Sequence, residues 1–112
     1  MNKGEKGKKG EEIAKRFLEG QGYKVIEQNY RTRFGEIDLI CEKGNSIIFV
    51  EVRQKSGRQF GEPVESIDKR KIGKIKRTAE HFLSERGIYE KEIRFDLFSI
   101  IGKKFELIPN VF

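Results

Sequence analysis

The chain has one cysteine and one histidine in 112 residues, and each scarcity excludes a class of chemistry. A single thiol, Cys41, cannot close an intrachain disulfide, and nothing points to an oxidising compartment. Cys41 and His81 together fall short of the four donors of a structural zinc site. No apolar run approaches the ~20 residues that cross a bilayer, and the N-terminus carries no hydrophobic leader, so the expected setting is cytoplasmic, away from membranes. A chain of 112 residues has room for one core and no separate binding module, so binding and chemistry are expected to share one surface.

Charge is what the chain has in quantity. Lys and Arg number 24 against 18 acidic residues, for a net charge of +6 and a sequence pI near 9.5. Such a balance suits a polyanionic partner held through its phosphates.

The pattern of apolar residues divides 10–112 into one α/β unit behind a basic arm, residues 1–9, whose Gly/Lys-rich composition predicts disorder. Ile13, Ala14, Phe17 and Leu18 recur at helical spacing between Gly10 and Glu19, and Gly20 and Gly22 supply stop signals. Alternation over Tyr23–Glu27 predicts a first strand. Two further strands flank Gly44-Asn45, a hairpin signal. After Lys55 the turn-rich stretch 56–63 reads as a loop. A second helix is expected over about Ser66–Arg86, burying Ile72, Ile75, Ala79, Phe82 and Leu83. Strands over Arg94–Ile101 and Lys104–Ile108, turning at Gly102-Lys103, close the chain. The first half of the second helix carries Lys69, Arg70, Lys71, Lys74, Lys76 and Arg77, which the helix dipole would prefer at the other end. A solvated face and a phosphate-binding face are both open readings of that run.

Two carboxylates interrupt otherwise apolar strands: Asp38 within Gly35-Glu36-Ile37-Asp38-Leu39-Ile40, and Glu51 within Phe49-Val50-Glu51-Val52-Arg53. A two-residue turn at Gly44-Asn45 sets Cys41 opposite Ile48, Leu39 opposite Val50, Asp38 opposite Glu51 and Glu36 opposite Arg53. Cys41 then lies on an apolar face, as a buried structural thiol. Asp38 and Glu51 approach to about 4.5–5.5 Å at Cβ, a like-charge contact that destabilises a sheet unless something positive lies between. A divalent cation with hard oxygen ligands, Mg2+ or Mn2+, meets that need, with Arg53 and Lys55 on the same face beside a phosphate. From these residues alone, a metal site and a pair of solvated strand ends are both possible.

Asp38 followed by Glu51-Val52-Arg53 resembles the PD-(D/E)XK signature of the restriction-endonuclease-like superfamily, with Ile37 in place of the proline and Arg53 in place of the lysine. Gly10-Glu11, Gly22-Tyr23, Asn29-Tyr30-Arg31, Gly35-Glu36-Ile37-Asp38-Leu39-Ile40, Phe49-Val50-Glu51-Val52-Arg53, Phe60-Gly61 and Lys71 together resemble the YraN-like family of small, poorly characterised bacterial proteins. The opening is also similar to archaeal Holliday junction resolvases, in which a helix-borne glutamate, here Glu11, joins the metal-binding carboxylates.

These resemblances imply a restriction-endonuclease-like αβββαβ core, a central mixed sheet flanked by helices. They also imply a metal-dependent nuclease acting on DNA, with branched or flapped structures as candidate substrates, in repair or recombination. Glu11, Asp38 and Glu51 would hold Mg2+ or Mn2+, and Arg53 would clamp the phosphate. Arg31, Lys55, Arg58, Lys71 and Lys74 are expected nucleic-acid contacts, and Phe60 is either a packing anchor or a base contact. Arginine keeps its proton throughout the working range, so Arg53 is a poor general base. That departure leaves a binding protein of the same fold without efficient catalysis as one alternative, and a protein-interaction factor as another. RNA remains open as a substrate, and two cuts by so small a domain are easiest for a symmetric homodimer.

Overall fold

The computed structural model describes residues 3–55 and 68–112, with side chains for 8–54 and 68–112. Its elements run α1 (Lys3–Gly20), β1 (Lys24–Thr32), β2 (Gly35–Lys43), β3 (Ser46–Lys55), α2 (Lys69–Arg86), β4 (Glu92–Ile101) and β5 (Lys104–Ile108). This is the expected order of one helix, three strands, a second helix and two strands. The strands form a five-stranded sheet in chain order. β3 and β4 pair in parallel, the geometry that a helical crossover makes possible, and the other neighbours are antiparallel.

Each helix covers one face. Ala14 and Leu18 of α1 pack with Leu39, Cys41, Ile48, Val50, Phe98 and Ile100. Ile75, Ala79 and Phe82 of α2 pack with Ile37, Ile40, Ile47 and Phe49. Full burial of side chains such as Leu18 or Phe82 stabilises by about 1.5–3 kcal/mol each. Residues one apart on β2 and β3 thus serve opposite cores, which explains their nearly unbroken apolar runs. Cys41 lies in the first core, where burial and, less strongly, Asp96 push its thiol up to about 12. It is a structural side chain.

Two expected boundaries need correction. α1 begins at Lys3, so the described part of the supposed arm continues the helix; Lys and Glu are good helix formers, and the composition that suggested disorder is compatible with both states. β1 extends to Thr32 because its polar second half, Gln28–Thr32, still pairs with β2. An edge strand can keep its ladder while exposing its side chains.

α2 has clear ends. Asp68 Oδ1 accepts from the Lys71 backbone N–H at 2.8 Å, an N-cap, and Gly87 closes the helix at φ 66°. Gly87→Ala is expected to cost about 1 kcal/mol, since a Cβ is disfavoured in that left-handed conformation; a thermal melt checks it.

On β4, Asp96 is wholly buried and held by Arg94, whose Nε and Nη2 donate to its carboxylate at 2.9 Å. Tyr23 Oη accepts a further bond from Arg94 Nη2 at 2.7 Å. The Asn110 N–H donates to Asp96 Oδ1 at 3.2 Å, and the Val111 N–H to the Phe95 carbonyl at 2.9 Å. This buried charge is paired and hydrogen-bonded, and it ties the last residues to the sheet.

Candidate functional site

The hairpin of β2 and β3 has the register expected from its turn, with Cys41 opposite Ile48 and Leu39 opposite Val50. Pairing ends there. One residue further, Asp38 Oδ2 takes the Val52 backbone N–H at 2.8 Å, so a side chain replaces the ladder where the strands part. Glu51, adjoining on β3, is only 8% exposed. The Asp38 carboxyl rises from an ordinary 3.8 to about 7, through burial first and the Glu51 charge second, against the opposing Val52 N–H, with Glu11 and Glu36 adding to the rise. The like-charge encounter read from the sequence is present, one step beyond the last ladder pair.

The same parting overturns the expected opposition of Glu36 and Arg53. Glu36 turns to β1, where Arg31 Nε lies 3.3 Å from its Oε2. Arg53 turns to Glu51, with Nη2 3.6 Å from Oε1. A second cation meets that oxygen from another element: Lys71 Nζ, in the first turn of α2, is 2.8 Å from Glu51 Oε1. Lys71 was expected at phosphate, yet its amine sits on the carboxylate, reached from the first turn of α2 that Asp68 caps. Its reach depends on how the helix rests on the sheet, which no local sequence signal encodes. Arg53 Nε is buried with no hydrogen-bond partner among the described residues.

Glu11 comes from α1. The residue before it, Gly10, is buried, and a Cβ there would stand 2.9 Å from Gln54 Oε1 and 3.7 Å from Val52 Cγ1. The missing side chain lets the helix lie close to β3 and brings Glu11 to the carboxylates. Burial, then Glu36, raise the Glu11 carboxyl; Arg31 opposes, and Glu51 adds to the rise.

Asn29 joins this group although its sequence context gave it no role. It lies between the β1–β2 pairs Gln28–Leu39 and Tyr30–Ile37, hence beside Asp38, and has φ 50°. Oriented so that its amide nitrogen rather than its oxygen faces the carboxylates, it donates to Glu36 Oε1 at 3.1 Å and to Glu11 Oε1. Asparagine tolerates the left-handed conformation better than most residues. Asn29→Ala is therefore expected to lower stability by about 1 kcal/mol, and Asn29→Gly by less, since glycine recovers the backbone term; thermal unfolding of the pair separates backbone from amide.

The fold brings Glu11, Asp38, Glu51 and Arg53 into one neighbourhood with Asn29, Glu36 and Lys71, but Glu11 does not complete with Asp38 and Glu51 the three-carboxylate metal set that the resemblance implied. Lys74 is exposed one turn along α2 and stands outside the cluster. The Lys55 side chain, and Arg58 and Phe60 in the 56–63 loop, lie outside the described residues. His81 is elsewhere, its Nε2 3.6 Å from Glu85 Oε2. Among the described residues no group of three or more His, Cys, Asp or Glu side chains is close enough to hold a metal unaided, and no helix is long and apolar enough to cross a membrane.

A family model described as an uncharacterised protein family, UPF0102, matches residues 10–100. Among curated proteins the chain is similar to a UPF0102 protein of Persephonella marina, 46% identical over 96% of this chain and 92% of that protein. A UPF0102 protein of a Sulfurihydrogenibium species is 45% identical, over 100% of this chain and 97% of its own length. One from Dictyoglomus turgidum is 44% identical over the whole of both chains.

Proposed function

The chain belongs to the uncharacterised protein family UPF0102, and from its site we propose that it is a Mg2+- or Mn2+-dependent nuclease of restriction-endonuclease-like fold that hydrolyses phosphodiester bonds in DNA. The observation that carries this reading is the meeting of Asp38 and Glu51 where β2 and β3 part, with Asp38 held near 7 and two cations on one Glu51 oxygen.

The donor set fits a hard divalent cation. All candidate ligands are carboxylate oxygens, Asp38 and Glu51 first and Glu11 beside them, and such ions commonly take one or two carboxylates, leaving other positions to water and substrate phosphate. That accounts for a site with no set of three preformed ligands among the described residues. When bound, the cation would supply Lewis acidity for the phosphoryl oxygens and a water of lowered pKa.

The chain's own residues do the rest. Asp38 must give up its proton to bind the cation, so metal affinity is expected to rise with pH through about 7. Arg53 keeps its proton, as arginine does, and its Nε–H, buried without an acceptor among the described residues, is a donor available to a phosphate oxygen; an unmet buried donor ordinarily costs about 1–3 kcal/mol. Lys71 supplies an amine in the place where Arg53 cannot, since a lysine can exchange its proton. In hydrolysis a water oxygen bonds to phosphorus and gives up a proton to solvent as the P–O bond to the leaving sugar oxygen breaks, and the Lys71 ammonium would stabilise the developing charge or protonate that oxygen and regain its proton from solvent. The domain has few residues free to read bases, so weak sequence preference is expected, with branched or flapped DNA as the candidate structures.

The test is cleavage of labelled single-stranded, duplex, flapped and four-way-junction DNA in Mg2+, Mn2+ or EDTA, with Asp38→Asn and Glu51→Gln beside the wild type. Products that need metal and vanish in both variants support the nuclease. Unchanged cleavage by the variants would sink it, and binding without products would leave a non-catalytic DNA-binding protein, the reading that Arg53 in the lysine position favours.

A further inference from the structure

From Lys69 to Ala79, α2 carries six cations and no carboxylate. Three of them, Arg70, Lys74 and Arg77, are exposed and share one flank at spacings of four and three residues. At ~1.5 Å per residue they span roughly 10 Å, about the axial rise of three phosphates on one DNA strand. The flank adjoins the turn between β1 and β2: a Cβ on Gly35 would lie 3.5 Å from Lys74 Cβ and from Thr78 Oγ1. That turn adds the exposed Arg33, whose guanidinium lies 4.9 Å over the Phe34 ring.

This arrangement works against the helix. Like charges at i,i+3 and i,i+4 repel, and cations in the first half of a helix oppose its dipole. No acidic residue lies in the first turn. Among the described residues, no ion pair joins Arg70, Lys74 or Arg77 to a carboxylate. A polyanion relieves both strains at once. Among the described residues the exposed large apolar side chains are Tyr89, Ile93 and Phe105, none of them on the flank, and half-buried Phe34 of the adjoining turn has its ring under the Arg33 guanidinium. Single strands are held chiefly by stacking on aromatics, whereas duplex backbones are held by charge.

We propose that Arg70, Lys74 and Arg77 of α2, with Arg33 of the β1–β2 turn, form a track for the phosphate backbone of duplex DNA. The proposal deepens the nuclease reading and rests on it for the choice of nucleic acid as partner. Lys71, in the same first turn of α2, points to Glu51, so the track begins beside the carboxylates and leads along the helix away from them. Its contacts are sequence-independent, since charged side chains on phosphates fix position and carry no base information.

The experiment measures binding to a fluorescent DNA duplex in EDTA, where no cleavage intervenes, across a series of salt concentrations. Three proteins are compared: the wild type, the triple variant Arg70→Ala/Lys74→Ala/Arg77→Ala, and a control with equal charge loss, Lys24→Ala/Lys103→Ala/Lys104→Ala. The α2 variant is expected to bind about 10- to 100-fold more weakly at low salt, with the log–log salt slope shallower by about 2.7, near 0.9 for each phosphate no longer neutralised. The control should stay within a few-fold of the wild type. A melting temperature for the α2 variant equal to or above the wild-type value, as removal of helix repulsion predicts, excludes unfolding as the cause of weaker binding. An unchanged slope, an equal loss in the control, or wild-type preference for single-stranded DNA, duplex RNA or an acidic protein overturns the track. Cleavage of the same DNA in Mn2+ separates the two ideas. Charge-dependent duplex binding without cleavage defeats the nuclease alone; cleavage with full binding by the α2 variant defeats the track alone.

Discussion

Asp38→Asn is expected to abolish metal-dependent cleavage while making the protein more stable above neutral pH. The loss follows from removing a charged ligand: metal stabilisation of the developing phosphoryl charge is worth several kcal/mol, so a fall of about 1000-fold or more is expected at 1.36 kcal/mol per decade. The gain follows from what the fold gives up to keep Asp38 where it is. Its carboxyl is raised from 3.8 to about 7 by burial and by Glu51, so between those values the folded protein holds a proton that the unfolded chain releases. Stability therefore falls as pH rises through this window, and the full cost is present above about 7. Asparagine has no charge to desolvate, and its Oδ1 can still accept the Val52 N–H. At pH 8 the variant is expected to gain on the order of 2 kcal/mol, visible as a higher midpoint in thermal or urea unfolding, and the difference should close below pH 4. A variant that lost cleavage and also lost stability at pH 8 would assign Asp38 a structural role.

Lys71→Met is expected to lower the cleavage rate by about 100- to 1000-fold, within the range for a positioned proton-transfer or charge-stabilising group. Two further variants separate charge from proton chemistry. Lys71→Arg keeps a cation near Glu51 and should retain DNA binding, but it should recover little rate, because arginine holds its proton throughout the accessible range. Arg53→Lys added to Lys71→Met should recover part of it, since residues 53 and 71 approach the same Glu51 oxygen, at 3.6 and 2.8 Å. A loss of only a few-fold in Lys71→Met, or full rate in Lys71→Arg, would move the amine's task to another residue.

How much of this was legible in the chain depends on the range of the interaction. The hairpin register from Leu39–Val50 to Cys41–Ile48 followed from a two-residue turn and from alternation, both local. The meeting of Asp38 and Glu51 came with it. Helix stripes were equally plain, and Ala14, Leu18, Ile75, Ala79 and Phe82 are all buried. Asn29 gave no sign of its left-handed backbone, because an asparagine in a polar edge strand looks the same whether or not the strand is irregular there. Lys71 was marked out by the family resemblance, as a nucleic-acid contact, but its place on the Glu51 carboxylate depends on the seating of α2 on the sheet. Asp96 stood among apolar neighbours without an evident partner, and its satisfaction by Arg94 and by the Asn110 N–H required both the β4 side-chain geometry and the path of the C-terminal residues. The expected opposition of Glu36 and Arg53 failed because a register extrapolates only as far as the strands remain paired.

The parting of β2 and β3 has a consequence for how this protein can change. The register that packs Leu39 against Val50 also sets Asp38 beside Val52, so a one-residue slip would scramble the core and the carboxylate pair together. The strands are thus the invariant part of the apparatus. Glu11 and Lys71 arrive on helices that rest on opposite faces of the sheet, and a helix can pivot or slide by a fraction of a turn without breaking a ladder. A shift in metal or substrate preference, whether by evolution or by design, is accordingly easier to reach through the helix–sheet contacts at Gly10 of α1 and at Ile75, Ala79 and Phe82 of α2 than through the strands that carry the essential pair.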